Sequence, residues 1–439
     1  LIHIMLSSRG LKNVQELGQP WRFSPTPDYD PETNPSGLIS FGMAENRPMR
    51  EYIVDYINEK VVFRFYHLYN IYLKTRSRSD INGQVSFTTD SVSYRSSAKS
   101  SGRLPAAATA HLNNILAPYV PIQPDHVFIA DSPTSLGNML GYNLAERGEG
   151  ILVSRPVYGR FELDYGVEAG VEIIYADTTT EEAFTLCSVM KYEQALAAAT
   201  ERGVKIRAVL LVNPHNPVGR CYPRKTLEAI AQFCNKHKLH LISDEVYASC
   251  VFDTVDPSAV PFTSILSLDL EKLIDIELVH VLYGFSKDFA SGGLHLGFLV
   301  TQNERLRQGC KMILRLHGAS QAAITIGTTI LEDPAFVSSF IAKTRRSLAT
   351  GYQLVTSTLE KEGINYAKGG NAGFFIYIDL SPFLPANGLS VREQEFALAQ
   401  KLLDAGVFFH PGEEHSKDAG WFRFVFSHEE ATLEEGLRR

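Results

Sequence analysis

Ala208-Val-Leu-Leu-Val-Asn-Pro-His-Asn-Pro-Val-Gly219 is a continuous apolar run that breaks abruptly into asparagine and proline. A run this short, without alternation, reads as a strand buried on both faces, and the Asn- and Pro-rich stretch reads as the loop at its carboxyl end. The pattern recurs downstream, where Leu239–Ile242 leads into Ser243-Asp-Glu-Val-Tyr247 and Leu278–Tyr283 into Gly284-Phe-Ser-Lys-Asp288. Upstream, Val127–Ala130, Ile151–Val153 and Val171–Tyr175 are runs of the same kind. Segments of helical period separate them. The clearest opens at Pro223, whose missing N–H costs nothing in a first turn, and sets Leu227, Ile230, Ala231 and Cys234 on one face. Strand, helix, strand in repetition predicts an α/β fold with a mostly parallel sheet sandwiched by helices. Ligands of such sheets collect at the carboxyl ends of the strands, so the three polar loops open onto one rim.

The flanks differ in kind. Pro25, Pro27, Pro31 and Pro35, in a first stretch of forty residues rich in Asp, Asn and Ser, forbid a regular helix and predict an extended arm. Residues near 49–73 mix apolar and charged positions at helical spacing, Ser93 to Arg103 is a small-residue loop, and Pro105–Leu116 is an Ala-rich helix. After about Glu304 longer helices take over, followed by β-type runs at Phe374–Leu380 and Arg423–Phe426, the pattern of a separate α+β lobe. No internal repeat or low-complexity tract interrupts this order.

With 439 residues, 44 % of them hydrophobic, the chain can bury a large core in two or three lobes. Its 42 Lys and Arg against 49 Asp and Glu leave a net charge of −7, without the broad cationic face that nucleic acid or an anionic membrane requires. The longest apolar runs, such as Ala372–Ile378, fall well short of the ~18 residues that span a bilayer. Cys187, Cys221, Cys234, Cys250 and Cys310 are odd in number and contain no C-x-x-C pair, which disfavours a disulfide framework or a cysteine zinc site. The residues ahead of Met5 form no charged-then-apolar leader, and Pro35 blocks the one Asn-x-Ser/Thr match; a cytoplasmic setting is expected.

Lys287 directly follows a buried strand. Burial disfavours its ammonium form, and the neutral amine that results is available for a Schiff base. Asp244 stands at the next strand end, flanked by the amide of Asn216 and the phenol of Tyr247. A carboxylate, an amine, an amide and a phenol on one rim match what a pyridinium–phenolate cofactor needs.

The order Asn216-Pro-Val-Gly, Asp244-Glu-Val-Tyr247, Ser286-Lys287-Asp288 resembles the fold-type-I pyridoxal-phosphate enzymes of the class I and II aminotransferase family. It is most similar to the 1-aminocyclopropane-1-carboxylate synthase branch, including fungal synthase-like members. Tyr29-Asp-Pro-Glu-Thr-Asn-Pro-Ser-Gly37, Gly42-Met-Ala-Glu-Asn46, Asn371-Ala-Gly-Phe-Phe375 and Gly420-Trp-Phe-Arg423 extend the likeness from about residue 29 to 426. The resemblance implies an N-terminal arm and part of a small domain over 1–48, a large cofactor-binding domain over 49–310 and a C-terminal small domain over 311–439. It also implies a homodimer with a shared site and pyridoxal 5′-phosphate as cofactor. Lys287 would carry the cofactor aldehyde as an imine and shuttle the Cα proton, and Asp244 would keep the pyridine nitrogen protonated. Asn216 and Tyr247 would hydrogen-bond the ring oxygen, and Tyr158, in Pro156-Val-Tyr-Gly159, would stack on the ring. Arg423 would grip the substrate α-carboxylate. Glu45 would lie near the substrate side chain and favour a cationic group.

The phosphate end departs from the family. His295 stands eight residues beyond Lys287, where an arginine is usual, Gly284 replaces a serine, and Pro133 sits where a backbone N–H is usual. Ser132, Thr134, Ser286, the helix N-terminus after Thr134 and Tyr94 from a partner subunit remain as phosphate contacts. With an unperturbed pKa of about 6.5, a protonated His295 would make cofactor retention pH-sensitive. His410-Pro-Gly-Glu-Glu-His415 fits no metal-ligand template, and no metal is expected.

Every reaction compatible with this set begins by removing a Cα proton. The Ala44-Glu45-Asn46 context favours a lyase that breaks a carbon–sulfur bond, of the aminocyclopropane synthase or cysteine-conjugate type. An aminotransferase is the alternative, and a non-catalytic subunit with an eroded phosphate cup is a third reading.

Overall fold

The computed structural model describes residues 7–19, 24–60, 103–385, 388–411 and 418–439. Within them the strands are β1 (Ile39–Ser40), β2 (Val127–Ala130), β3 (Gly150–Arg155), β4 (Glu172–Asp177), β5 (Ile206–Val212), β6 (His240–Asp244), β7 (Val279–Gly284), β8 (Gly297–Thr301), β9 (Phe375–Asp379), β10 (Val407–Phe408) and β11 (Trp421–Val425). Seven form one sheet in the order β2-β8-β7-β6-β5-β3-β4. The pairs from β4 through β7 are parallel, whereas β8 runs antiparallel to both β7 and β2. All six predicted strands of the sheet are present. The seventh, β8, is not anticipated, because its Gly297-Phe-Leu-Val-Thr301 emerges from a glycine-rich turn that reads as loop.

Side chains alternate across the sheet. Ala208, Leu210 and Val212 of β5 enter a core with Leu136, Met139 and Leu140 of the helix Pro133–Leu144. Val209 and Leu211 enter a second core with Leu227, Ile230 and Cys234 of the helix Arg224–His237. Burial on both faces is why these strands read as unbroken apolar runs, each fully buried Val or Leu contributing about 1.5–3 kcal/mol. Pro223 is the extended N-cap of that helix rather than its first helical residue.

A third core gathers Phe374, Ile376 and Ile378 around β9 with Phe422 and Phe424 of β11, its antiparallel partner. The helix Pro334–Lys361 serves two cores, downstream of position 310. Phe336, Val337 and Phe340 pack with the sheet, and Leu348, Tyr352 and Val355 with β9 and β11. Asp333 caps its N-terminus by accepting the Phe336 N–H at 2.9 Å.

The arm is not wholly extended. Ser8–Leu17 is a helix, N-capped by Ser7, and it ends before the first of the prolines that argued against one. Helices at Arg50–Lys60 and Arg103–Leu116 agree with the expected spacing, while 61–73 and nearly all of the loop from Ser93 to Arg103 lie outside the described residues. β1 pairs in parallel with β10, which leads the following residues, Gly42 to Glu45, over the rim of the sheet. Among the described residues no helix is long and apolar enough to cross a membrane.

Candidate active site

The loops after β5, β6 and β7 meet in a cavity of about 400 Å³. Asn216, Asp244, Tyr247 and Lys287 line it from the sheet side, joined by Tyr158. Ser132, Pro133, Thr134 and Ser286 line one end, and Glu45 and Arg423 come from the arm and from β11. Of the residues singled out from the sequence, His295 and Tyr94 are not brought there. His295 is exposed, in a left-handed conformation at φ 54°, and does not line the cavity; Tyr94 lies outside the described residues.

The Lys287 ammonium donates to the Ala44 carbonyl at 2.8 Å. Burial, aided by the Arg423 guanidinium, pushes its pKa down to about 8, against the opposing pull of Glu45 and Asp244. Burial pushes Asp244 up to about 6, opposed by the Val246 N–H at 3.3 Å and by Lys287. At neutral pH the site therefore holds a mostly ionised carboxylate facing an amine with an appreciable neutral fraction. The Tyr247 phenol is pushed well above its usual range by burial and stays a donor, its ring held edge-on by Phe374 and Phe375 at 5.3 and 5.2 Å.

Arg423 lies inside β11, opposite Tyr377 of β9. Its guanidinium donates to Asn216 Oδ1 at 3.1 Å and to the Gly42 carbonyl at 2.9 Å. One side chain thus ties β11, the loop after β5 and the arm together at the cavity. Tyr158 is set by an edge-to-face contact with Phe161 at 5.2 Å. Glu45 forms an ion pair with Arg50, so the negative charge expected to attract a cationic substrate is offset by a neighbouring cation.

At the opposite end, the helix begins at Pro133 itself. Ser132 is its N-cap, accepting the Ser135 N–H at 3.1 Å. Gly284 and Gly297 face each other across β7 and β8 beneath this turn. A Cβ on Gly284 would fall 2.7 Å from Pro133 Cγ, and one on Gly297 2.5 Å from the Ser132 carbonyl carbon. The departures at 133 and 284, separate in the sequence, are one packing feature: the proline ring needs the missing side chain.

Sequence reasoning misses Asp164 and Arg160, which also line the cavity. Asp164, on the helix Phe161–Gly166, is pushed up to about 7 by burial and by Asp244, with Arg160 opposing. No motif marks them; only their closeness in sequence to Tyr158 could have drawn attention. In the segment from His410 to His415, residues 412–415 lie outside the described residues, and among the described residues no group of three His, Cys, Asp or Glu could hold a metal.

The arrangement suits pyridoxal phosphate. It offers an amine for the aldehyde, a buried carboxylate for the ring nitrogen, an amide and a phenol for the ring oxygen, and a hydroxyl-lined helix N-terminus for the phosphate.

Residues 103–439 match the family Aminotransferase class I and II. The chain is similar to the 1-aminocyclopropane-1-carboxylate synthase-like protein 1 of Homo sapiens, at 29 % identity over 94 % of this chain and 77 % of that protein. It is 32 % identical to Probable aminotransferase aclI of Aspergillus oryzae, over 76 % of this chain and 78 % of that protein. In the solved structures, a double mutant of Thermus thermophilus aspartate aminotransferase matches with a TM-score of 0.69, covering 99 % of this chain and 96 % of that one. At 16 % identity that last likeness concerns the fold.

Proposed function

The chain belongs to the aminotransferase class I and II family of pyridoxal 5′-phosphate enzymes, and from that premise we propose that it removes the Cα proton of an α-amino acid and then breaks a carbon–sulfur bond in its side chain. The observation that carries the removal of the Cα proton is the buried Lys287 amine, its pKa brought to about 8, sharing one cavity with Asp244 and Arg423; the choice of carbon–sulfur cleavage over aminotransfer follows the Ala44-Glu45-Asn46 context. When bound, the cofactor supplies an electron sink for the pair left on Cα.

The protein does the rest. Arg423 grips the α-carboxylate, a planar fork meeting a planar anion, and so orients Cα toward Lys287. Asp244 would keep a proton on the ring nitrogen, Asn216 and Tyr247 would hydrogen-bond the ring oxygen, Tyr158 would cover a ring face, and Ser132, Thr134 and Ser286 with the helix N-terminus would hold the phosphate. Lys287 takes the Cα proton, an assignment favoured by a pKa near working pH. The Cα electron pair then forms the Cα–Cβ double bond as the Cβ–S bond breaks and sulfur leaves as thiolate. A thiol with an ordinary pKa of about 8.5 leaves without a dedicated acid. Because Arg50 offsets Glu45, the reading favours an uncharged thioether over a sulfonium.

The test is incubation of the loaded enzyme with S-alkyl cysteines without a keto acid. Release of pyruvate and ammonia supports elimination. Strict dependence on a keto acid supports the second reading, aminotransfer, in which Lys287 would again be the group that moves the proton; the name of the Aspergillus oryzae relative favours that reading. With either goes a cytoplasmic homodimer sharing its sites, checked by light scattering and by mixing inactive variants.

A further inference from the structure

We propose that Asp288 is a positioning residue that holds Lys287 against the wall formed by Asp244 and Tyr247; this rests on the reading of Lys287 as the reactive amine. Asp288 is 1 % exposed and ends the single-turn helix Phe285–Asp288. Adjacent residues of a helix point about 100° apart. While Lys287 reaches the Ala44 carbonyl in the cavity, Asp288 turns into the protein and collects donors. Its Oδ2 accepts the Ser249 N–H at 3.0 Å, and its Oδ1 accepts the Cys250 Sγ–H at 3.0 Å. The Tyr283 hydroxyl bonds the same carboxyl, and its oxygen lies 2.9 Å from His111 Nε2.

The polarity of this chain is set. The Tyr283 hydroxyl has one proton and gives it to the Asp288 carboxylate, which leaves its oxygen to accept from His111; the imidazole, kept neutral by burial that pushes it down to about 4, therefore carries its proton on Nε2. Ser249 and Cys250 closely follow Tyr247 in the loop that begins at Asp244, and Arg345 of the long helix donates to the Ser249 carbonyl at 3.1 Å. One carboxylate therefore fastens the turn that carries Lys287 to the loop that carries Asp244 and Tyr247. A helix of four residues has no stability of its own, so its position is that of its anchors. A buried carboxyl is also a costly way to fill space, which an apolar side chain would fill at lower cost. Positioning accounts for that cost.

Asp288→Asn keeps the shape but turns an amide N–H toward one donor. Tyr283→Phe removes one donor and keeps the ring. Both are loaded with pyridoxal phosphate and compared with wild type by thermal melting, kinetics with S-alkyl cysteine or the preferred substrate, and pH titration of the visible cofactor band, with Lys287→Ala alongside. Asp288→Asn is expected to lose about 10- to 100-fold in kcat with KM little changed. The pH midpoint of the band is expected to move, and Tyr283→Phe to change both in smaller measure. Folded variants with a lowered melting temperature but wild-type kcat and midpoint overturn the proposal. Should Asp288→Asn not fold, Tyr283→Phe decides on the same two readouts. A cofactor imine band that persists in Lys287→Ala instead overturns the underlying assignment of the amine.

Discussion

Lys287 and Asp244 occupy one cavity, and burial moves each toward its neutral form. A solvated lysine amine stays protonated until about pH 10.4. With a pKa brought down to about 8, Lys287 of the cofactor-free chain is expected to capture pyridoxal phosphate at a rate that climbs to about pH 8 and then levels. A rate still climbing at pH 10 would mean a solvated amine. For Asp244 the folded value of about 6 lies above the ordinary 3.8, so the fold favours its neutral form. Below pH 4 it is neutral whether folded or not and costs nothing. As pH rises through about 6 the folded chain carries a buried anion, at a cost of about 1–3 kcal/mol. Asp244→Asn is therefore expected to raise the melting temperature of the cofactor-free chain at pH 7, by less at pH 4.5, while abolishing turnover. These two residues were legible in sequence because Asp244 closes one buried strand and Lys287 follows the end of the next by three residues, where a polar side chain needs a reason. Asp164 was not, since its approach to Asp244 depends on how the short helix Phe161–Gly166 packs against Pro133–Leu144.

At the scale of elements, the turn at Ser132 and Pro133 rests on the glycine pair that ends β7 and begins β8. Gly284→Ser adds a hydroxyl where a phosphate donor is useful, but its Cβ meets the proline ring at 2.7 Å. Overpacking of this kind costs about 1–3 kcal/mol. The single substitution is expected to lower the melting temperature and weaken cofactor binding, measured by equilibrium dialysis. Pro133→Ala together with Gly284→Ser is expected to recover stability and bind the cofactor more tightly than wild type. Tighter binding by Gly284→Ser alone would show that the two positions are independent. Continuous apolar runs made the parallel strands readable, because burial on both faces leaves no other solution. β8 was hidden because its glycine belongs equally to a turn, and its pairing with β2 and β7 is a long-range fact. The helix Ser8–Leu17 escaped for a simpler reason: proline evidence from 25–35 was extended to residues it does not govern.

Across the whole molecule, the cavity is closed by a segment anchored far from the sheet. The Ala44 carbonyl accepts from Lys287 and the Gly42 carbonyl from Arg423, so the height of this roof sets the position of both the amine and the guanidinium. Its upstream end is tied by Arg439, which donates to the carbonyls of Pro35 at 2.8 Å, Gly37 at 2.7 Å and Gly406 at 2.9 Å while pairing with Glu435. β1 then pairs with β10, and Phe41 stacks on Phe424 at 4.5 Å before the chain reaches the cavity. Loss of the guanidinium takes the Arg439 donor from the Pro35 and Gly37 carbonyls, at about 1–3 kcal/mol for each that stays buried, while Gly406 keeps the Ile39 N–H at 3.1 Å. Arg439→Ala is therefore expected to lower the melting temperature and to raise KM for the amino acid about three- to tenfold, since a loosened Gly42 releases Arg423 from its orientation. The pH at which the cofactor-free chain captures pyridoxal phosphate is expected to rise above 8, because Lys287 owes its depressed pKa first to burial under this roof and then to Arg423. A lowered melting temperature with KM unchanged would mean that the arm stabilises the fold without governing the site, and that the roof is held from β10 and Phe41 alone.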